Sequence, residues 1–277
     1  MILRLLDKVF RYTGLKATHY HSPKIWGHHL NGQLLDRAAA GARLDFVSYT
    51  SADTRYLGDA SSYRGFHVIR DPRDIVVSSY FSHRYSHPTD GWPELVEFRR
   101  VLERLPKDEG ILENMKFTEV LPIDGHKVDL FRTLRDWDYS MPNVLELKFE
   151  HLVANPYQAF LDALEFVGMT TSDDGIDLAS ALRLAAYELG SRHPRFRLSA
   201  FPSARLPPWL ILRFVHENRF SRLAGGRSEG QEDVRSHYRK GKTGDWKNHF
   251  TDLHKRVFKE RYNDLLVKLG YEQDDSW

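Results

Sequence analysis

The apolar positions of this chain fall into short runs that alternate with stretches of helical spacing. Four short runs predict strands, at residues 17–22 (ATHYHS), 44–49 (LDFVSY), 65–69 (GFHVI) and 143–150 (NVLELKFE). Between the first two, WGHHLNGQLLDRAAAG has apolar positions at helical spacing, and Gly41 provides a C-terminal stop. Strands that alternate with helices favour an α/β fold with a parallel, doubly wound sheet.

Three further segments have the periodicity or the end residues of helices. A helical pattern begins at Arg73, and Asn155-Pro156 starts another helix, which Gly168 ends. A last helix is predicted over roughly residues 251–269. The first 16 residues begin with an apolar run, but Arg4, Asp7 and Lys8 interrupt it. That run is well short of a membrane span of about 18 residues, so we expect a short amphipathic helix there.

Residues 88–140 form a long stretch in which the pattern predicts no strand. It is mostly helical and rich in charge, and we interpret it as an insertion over the ligand-binding edge of the sheet, where substrate specificity is often carried. With 277 residues, 41% of them hydrophobic, the chain can bury one large core. We therefore expect a single domain over residues 1–277, with a mostly helical insertion at about 88–140.

The composition excludes several kinds of site. The chain has no cysteine, which rules out disulfides, thiolate metal ligands and a cysteine nucleophile and fits a reducing compartment, so the cytoplasm is the expected location. A net charge of +2 is too small to indicate nucleic acid binding. The basic residues are nevertheless clustered: five lie between Arg235 and Lys247, opposed only by Asp245. Such a segment suits a small polyanion, with a solvated loop as the alternative.

Arg70 stands where the third predicted strand ends and a helical pattern begins. In open α/β sheets, ligands bind beyond the carboxyl ends of the strands, so this arginine is well placed to meet a phosphate. Ser78 follows eight residues later, about two turns into the helix, where its hydroxyl can bond the same anion. The intervening DPRD sequence fits a helix start, with acids near the positive end of the helix dipole. Taken alone, these residues also fit a purely structural turn.

A second segment, YRKGKTGDWKNHFT (residues 238–251), combines cations with glycines just before the last helix. Its glycines permit a backbone wrap that β-carbons would obstruct. Arg239 and Lys240 supply multidentate and point-charge contacts to a phosphate. We interpret this segment as an anion clasp; a flexible basic loop anchored by a buried Trp246 is the alternative.

In their order and separation, these two segments resemble those of the cytosolic-type sulfotransferases, which use 3′-phosphoadenosine-5′-phosphosulfate (PAPS) as donor. The spacing from Arg70 to Ser78 resembles that family's 3′-phosphate motif, and RKGKTGDWKNHF resembles its C-terminal cofactor-binding sequence. HPTDGWPELVEF and LELKFEHL also resemble intervening family segments. The resemblance covers roughly residues 65–277.

The resemblance implies a fold, a donor and a set of binding residues. The fold would be a central parallel sheet flanked by helices, like that of the P-loop NTPases. The donor would be PAPS and the product adenosine 3′,5′-bisphosphate (PAP), with no metal required. The acceptor would be a small-molecule or glycan hydroxyl, or an amine, with no nucleic acid partner and no membrane span. The 3′-phosphate would be held by Arg70, Ser78, Arg239, Lys240 and Gly241, and Tyr187 would pack against the adenine.

The family's phosphosulfate loop, typically P-K-S-G-T-T-W, corresponds here to PKIWGHHL. An ungapped match keeps the proline and Lys24, which would stabilise charge on the leaving oxygen. Gly27 would supply a turn at the helix end, but both hydroxyls of the family loop are replaced. His28 would bind phosphate or act as a base, and His29 would stack on adenine in place of the family's tryptophan.

A hydroxyl acceptor needs its proton removed near the transition state, a task that suits a histidine. The family places such a histidine after the second strand, but residues 45–58 contain none. Asp53 and Tyr49 lie in that neighbourhood, and His67 and His83 are further candidates. We assign the role to His28, so the predicted catalytic residues are Lys24 and His28.

Three alternatives remain open at this stage. A catalytically impaired nucleotide-binding member of the same fold would explain the altered loop. A P-loop-type kinase would share the fold, but the chain has no G-x-x-x-x-G-K-[ST] sequence. A metal site built from His19, His21 and a histidine of the loop has no accompanying carboxylate motif, and we predict no metal site.

Overall fold

The computed structural model describes residues 2–20, 33–50, 53–123, 126–171, 178–192 and 205–277. Its α-helices are α1 (Ile2–Thr13), α2 (Leu35–Ala42), α3 (Pro72–Phe81), α4 (Pro93–Arg104), α5 (Lys107–Glu119), α6 (Leu130–Asp136), α7 (Phe149–Ala154), α8 (Pro156–Phe166), α9 (Leu178–Arg192), α10 (Pro208–Glu217), α11 (Phe220–Leu223) and α12 (Asp252–Lys268). Its strands are β1 (Ala17–Tyr20), β2 (Phe46–Tyr49), β3 (Gly65–Ile69), β4 (Val120–Ile123), β5 (His126–Asp129) and β6 (Val144–Lys148). The four strands predicted from the apolar runs are all present.

The strands that the sequence predicted as parallel pair in that sense. β1 pairs with β2, from Ala17 opposite Phe46 onward, and β3 pairs with β6, so that Ile69 lies opposite Lys148. The two pairs are linked through apolar side chains, since the rings of Phe46 and Phe66 lie 6.4 Å apart. Arg70 comes directly after the carboxyl end of β3. The partner strand β6 ends at the same level, because its last residue, Lys148, lies opposite Ile69.

The expectation of no strand between residues 88 and 140 is wrong. β4 and β5 form an antiparallel pair in which Leu121 lies opposite Val128. β4 is only four residues long and follows α5 without a break, so its apolar residues extend the helical pattern and give no separate period-two signal. The Asp124-Gly125 dipeptide between the two strands is the hairpin signal that reveals them.

The end of α2 also differs from the prediction, because Gly41 lies inside the helix. Arg43 adopts the left-handed conformation (φ 51°) and donates its N–H to Ala40, while Leu44 donates to Ala39. This hydrogen-bond pattern is a Schellman motif, and it leaves the glycine in ordinary helical geometry. The C-terminal stop is therefore a hydrogen-bonded arginine rather than Gly41.

Two large apolar clusters position the segments of interest. The first joins α3 to α12 and also contains Trp246 and Phe250, so it packs the helix after Arg70 against the segment that follows Arg239. The second gathers residues of α1, α8 and α10. Across the described ranges, no helix is both long enough and apolar enough to cross a membrane.

Candidate anion-binding site

Arg70 is a half-buried cation whose guanidinium lies within electrostatic reach of a second one. Its guanidinium carbon lies 5.0 Å from the centre of the Phe149 ring. Its Nε is buried, and no hydrogen-bond acceptor for it is found in the described part of the chain. Burial lowers the pKa of this guanidinium, and repulsion from Arg239 lowers it further, against the attraction of Asp74 and Glu150. A buried donor without an acceptor costs about 1–3 kcal/mol, which an anionic ligand would recover.

Arg239 reaches the helix that carries Ser78. Its guanidinium carbon lies 4.3 Å from the centre of the Phe81 ring. Phe81 is three residues after Ser78 on α3, and residues three apart share a helix face. Ser78 is therefore on the same face of α3 as the ring that Arg239 contacts. Arg239 also pairs with Glu232, and with Asp245 at 2.6 Å.

The carboxylate of Asp245 accepts hydrogen bonds from several side chains of the 238–251 segment. Its carboxylate accepts from Lys240 at 2.5 Å and from Asn248 at 2.9 Å, in addition to Arg239, and His249 Nε2 lies 3.2 Å away. Burial of this carboxyl opposes ionisation, but these hydrogen bonds prevail and hold its pKa well below the ordinary range. Asp245 thus places the side chains of Arg239 and Lys240 on one carboxylate.

Gly241 and Gly244 both occupy the left-handed region, with φ of 67° and 73°. At Gly241 a β-carbon would lie only 2.5 Å from an atom of the Phe220 ring, so any side chain there would require the ring or the backbone to move. At Gly244 an added β-carbon would meet no described atom within 4 Å, and only the backbone conformation favours glycine. Both glycines adopt the left-handed backbone, but the predicted obstruction by a β-carbon is present only at Gly241.

Asp74 connects the two predicted segments, a role that the sequence did not reveal. Its Oδ2 accepts the Gly244 N–H at 2.6 Å, and its Oδ1 accepts the Trp246 N–H at 2.9 Å. Burial raises the pKa of this carboxyl, while the charge of Arg70 and the two backbone bonds act in the opposite direction. The prediction gave Asp74 only a place in the first turn of a helix.

Arg73 and Glu150 both contact Asp71, in the turn that follows Arg70. Arg73 forms an ion pair with Asp71 at 2.8 Å and a second with Glu272 at 2.5 Å. Glu150 accepts the Asp71 N–H at 3.1 Å and the hydroxyl of Tyr271 at 2.7 Å. The turn after Arg70 is therefore fixed by residues 271–272, far along the chain. A groove of about 390 Å³ opens beside it, lined by Glu150, Val153, Ala154, Pro156, Glu229, Gly241, Lys242 and Thr243.

Tyr187, the residue predicted to pack against the adenine, belongs to the second apolar cluster. Tyr187 lies on α9, where its ring meets Phe214 at 5.6 Å and Tyr12 at 6.2 Å, against the second apolar cluster. Its contact with an adenine stays a prediction. Lys24, Gly27, His28 and His29 lie outside the described residues, so both predicted catalytic side chains stay predictions as well.

The remaining acid–base candidates all have protein partners. His67 Nδ1 lies 2.9 Å from Glu146, and its ring centre lies 4.2 Å from that of Trp137, with the ring planes tilted by 37°. His83 is buried, with Nδ1 2.7 Å from the Asn114 amide oxygen, and burial lowers its pKa to about 4.

The acid–base candidates near the second strand also have protein partners. Asp53 caps a short helical turn and pairs with Arg55, which lowers its pKa despite burial. Tyr49 donates its hydroxyl to the Asp53 carbonyl at 2.8 Å, and burial raises its pKa far above the ordinary range.

Two groups of side chains that could bind a metal ion contact other protein groups instead. His19 contacts Ser48 through Nδ1 and Asp7 through Nε2, at 2.5 and 3.1 Å, and His21 lies outside the described residues. Glu232, Asp245 and His249 have ligand atoms within 4.8 Å of one another. Arg239 and Lys240 already neutralise the two carboxylates, which disfavours a cation there.

Comparison with known proteins supports the resemblance seen in the sequence. No family model matches the chain. A 3-beta-hydroxysteroid sulfotransferase from the guinea pig (Cavia porcellus) is 24% identical over 217 residues, which is 76% of this chain and 58% of that protein. The chain thus matches little more than half the length of this curated relative. In sequence it resembles the cytosolic-type sulfotransferases.

A solved structure identifies the fold. Mouse sulfotransferase SULT7A1, crystallised with PAP, superposes with a TM-score of 0.52 over 95% of this chain and 79% of its own, at 14% identity. A retinol dehydratase crystallised with androsterone and PAP gives a TM-score of 0.48 at 16% identity, over 83% of this chain and 56% of its own. The chain has the α/β fold of the sulfotransferases, as the sequence predicted.

Proposed function

We propose that this protein is a PAPS-dependent sulfotransferase that transfers a sulfuryl group to a hydroxyl or amine of a small molecule or glycan. The observation that carries the proposal is the cluster of Arg70, Arg239 and Lys240. Arg70 has a buried Nε without an acceptor among the described residues, and it is held within electrostatic reach of Arg239. Arg239 pairs with Glu232 and Asp245, but the Arg70 Nε has no acceptor among the described residues, and a phosphate such as the 3′-phosphate of PAPS would supply one.

In the proposed reaction, the acceptor oxygen or nitrogen attacks sulfur in line with the departing nucleotide. One bond forms between the acceptor and sulfur, and the bond between sulfur and the bridging phosphate oxygen breaks. The acceptor proton passes to a base, and PAP leaves with the bonding electron pair. The activated leaving group already resides in the donor, so no metal is required.

The roles of the loop residues rest on the sequence resemblance. Lys24 would stabilise the negative charge on the leaving oxygen, and His28 would take the acceptor proton. Gly27 would give the turn at the phosphosulfate, while His29 and Tyr187 would contact the adenine. Ser78 and the backbone of Gly241 would add hydrogen bonds to the 3′-phosphate. A single domain over residues 1–277 and a cytoplasmic location complete the proposal.

A second function is favoured by one specific observation. PKIWGHHL lacks both hydroxyl residues of the family's phosphosulfate loop, although the residues for the 3′-phosphate are present. A protein of this fold that binds the nucleotide without transferring sulfate would have this combination. A kinase is less consistent with the chain, which carries no G-x-x-x-x-G-K-[ST] loop.

Two measurements separate these functions. Stabilisation in a thermal-shift assay by PAP, and not by ATP, is expected for both versions of the sulfotransferase fold, whereas equal indifference to both nucleotides would refute nucleotide binding. Labelled sulfuryl transfer from PAPS to mixed alcohol, phenol, amine and glycan acceptors then tests turnover. The enzyme is expected to label an acceptor, and the Lys24→Ala variant is expected not to. Binding of PAP with no transfer to any acceptor would favour the non-catalytic function.

A further inference from the structure

One buried carboxylate joins the two segments that hold the proposed 3′-phosphate site. Asp74 is 1% exposed. It lies in the first turn of α3, four residues after Arg70. Its two oxygens accept backbone N–H groups from Gly244 and Trp246, 170 and 172 residues further along the chain. Each oxygen takes one amide, so the carboxylate fixes both the position and the rotation of the loop that leads from Gly241 to Trp246.

The other side of this loop is also held by backbone hydrogen bonds. The Arg239 carbonyl accepts from the Asp233 N–H at 2.9 Å and from the Arg227 guanidinium at 2.9 Å. The Lys240 carbonyl accepts from the Gly230 N–H at 2.8 Å. The backbone of Arg239 and Lys240 is therefore fixed between the 227–233 segment and the amides that Asp74 binds.

Because of its hydrogen bonds to the two amides, Asp74 does not form an ion pair with Arg70 among the described contacts. Asp74 attracts the Arg70 guanidinium electrostatically but forms no ion pair with it among the described contacts, because its oxygens are directed to the two amides. Asp74 therefore attracts the Arg70 guanidinium without occupying it. A ligand anion then does not have to displace the Asp74 carboxylate from Arg70.

We propose that Asp74 is a positioning residue that aligns Arg239–Gly241 with Arg70 and so sets the preference for 3′-phosphorylated over 3′-unphosphorylated adenine nucleotides. The inference rests on the proposed function, since it concerns the same anion site. A purely structural brace would lower stability and weaken all nucleotides alike. A positioning residue weakens the 3′-phosphorylated nucleotide selectively, because only the 3′-phosphate contacts both segments.

Isothermal titration of PAP and adenosine 5′-monophosphate to wild type, Asp74→Asn and Asp74→Glu tests this directly. Asparagine keeps the size but cannot accept at both positions, so the ratio of the two affinities is expected to fall roughly tenfold or more. Glutamate keeps the charge and is expected to restore part of the ratio. Asp129→Asn is the matched control, since Asp129 accepts the Arg132 N–H at 2.9 Å at the start of α6. It is expected to leave the ratio unchanged.

Hydrogen exchange on the wild-type protein covers the case in which Asp74→Asn fails to fold. The amides of Gly244 and Trp246 are expected to be protected without nucleotide, because the carboxylate already binds them. Free exchange of both amides in the ligand-free protein would overturn the inference. So would a folded Asp74→Asn variant that keeps the wild-type affinity ratio. Failure of wild type itself to prefer PAP would instead contradict the proposed function.

Discussion

The guanidinium of Arg73 lies 3.9 Å from the ring centre of Trp246. The Trp277 ring lies 4.4 Å from the same guanidinium, so the cation contacts two indoles. Arg73 is 2% exposed, and its ion pairs with Asp71 and Glu272 complete its surroundings. This arrangement joins the first turn of α3, the second anion-binding segment and residues 272–277 into one packed unit.

Replacing Trp277 tests how far that unit stabilises the protein. Trp277→Ala removes one of the two cation–π contacts of Arg73, the contact with Lys259, the edge contact with Trp246 and the hydrogen bond to Asn263. The free energy of unfolding is expected to fall by about 2 kcal/mol, measured by urea denaturation. Trp277→Phe keeps a ring over Arg73 and is expected to lose less. Equal stability of Trp277→Ala and wild type would show that the indole contributes nothing.

Two glycines with the same backbone conformation offer a matched test of the close approach at Phe220. Gly241 and Gly225 both have φ of 67°, but of the two only Gly241 has a group that a β-carbon would meet. Alanine at either position carries the left-handed backbone penalty, of order 1 kcal/mol. Gly241→Ala is expected to lose clearly more thermal stability than Gly225→Ala and to lose affinity for PAP. Similar losses at both positions would mean that the Phe220 contact is easily relieved.

His83 gives the protein a defined dependence of stability on pH. Its native pKa is lowered to about 4 from 6.5, because burial disfavours the charged ring. Below pH 6.5 the unfolded chain therefore binds a proton that the native protein does not, and stability falls as the pH drops towards 4. The loss attributable to His83 is about 3 kcal/mol over this range.

Urea denaturation between about pH 7 and pH 4 measures that dependence. His83→Gln is expected to flatten the curve, whatever its effect at neutral pH, whereas replacing the exposed His126 with glutamine is expected to leave the slope unchanged. A wild-type slope retained in His83→Gln would assign the dependence to other groups.

The local elements of this fold were predictable from sequence because they depend on near neighbours. The apolar run 65–69, the DPRD helix start and the glycines at 241 and 244 each express a local rule, and the structure has the corresponding strand, helix and turns. The hairpin at β4 and β5 was missed because its four-residue strands follow a helix directly. The helix stop at Arg43 was missed because a Schellman motif accepts an arginine when its hydrogen bonds are satisfied.

The long-range contacts of the site could not be predicted in the same way. Asp74 and Trp246 are 172 residues apart, and no periodicity links an acid in a helix start to two backbone amides. The contacts of Arg73 with Trp246 and Trp277 depend on packing of α3 against α12 and the residues after it. A single sequence supplies the residue types for such contacts but not their pairing.

Arg70 and Arg239 are proposed to bind the 3′-phosphate of an adenine nucleotide, and the whole account depends on that role. The most direct measurement is the affinity of PAP for Arg70→Gln, by isothermal titration, with adenosine 5′-monophosphate as the comparison ligand. Arg64→Gln removes the same charge from an exposed residue just before β3 and serves as the control.

We predict that Arg70→Gln weakens PAP binding by about 1.5–3 kcal/mol while the affinity for adenosine 5′-monophosphate and the behaviour of Arg64→Gln stay near wild type. Unchanged PAP affinity in Arg70→Gln would contradict the assignment of this site.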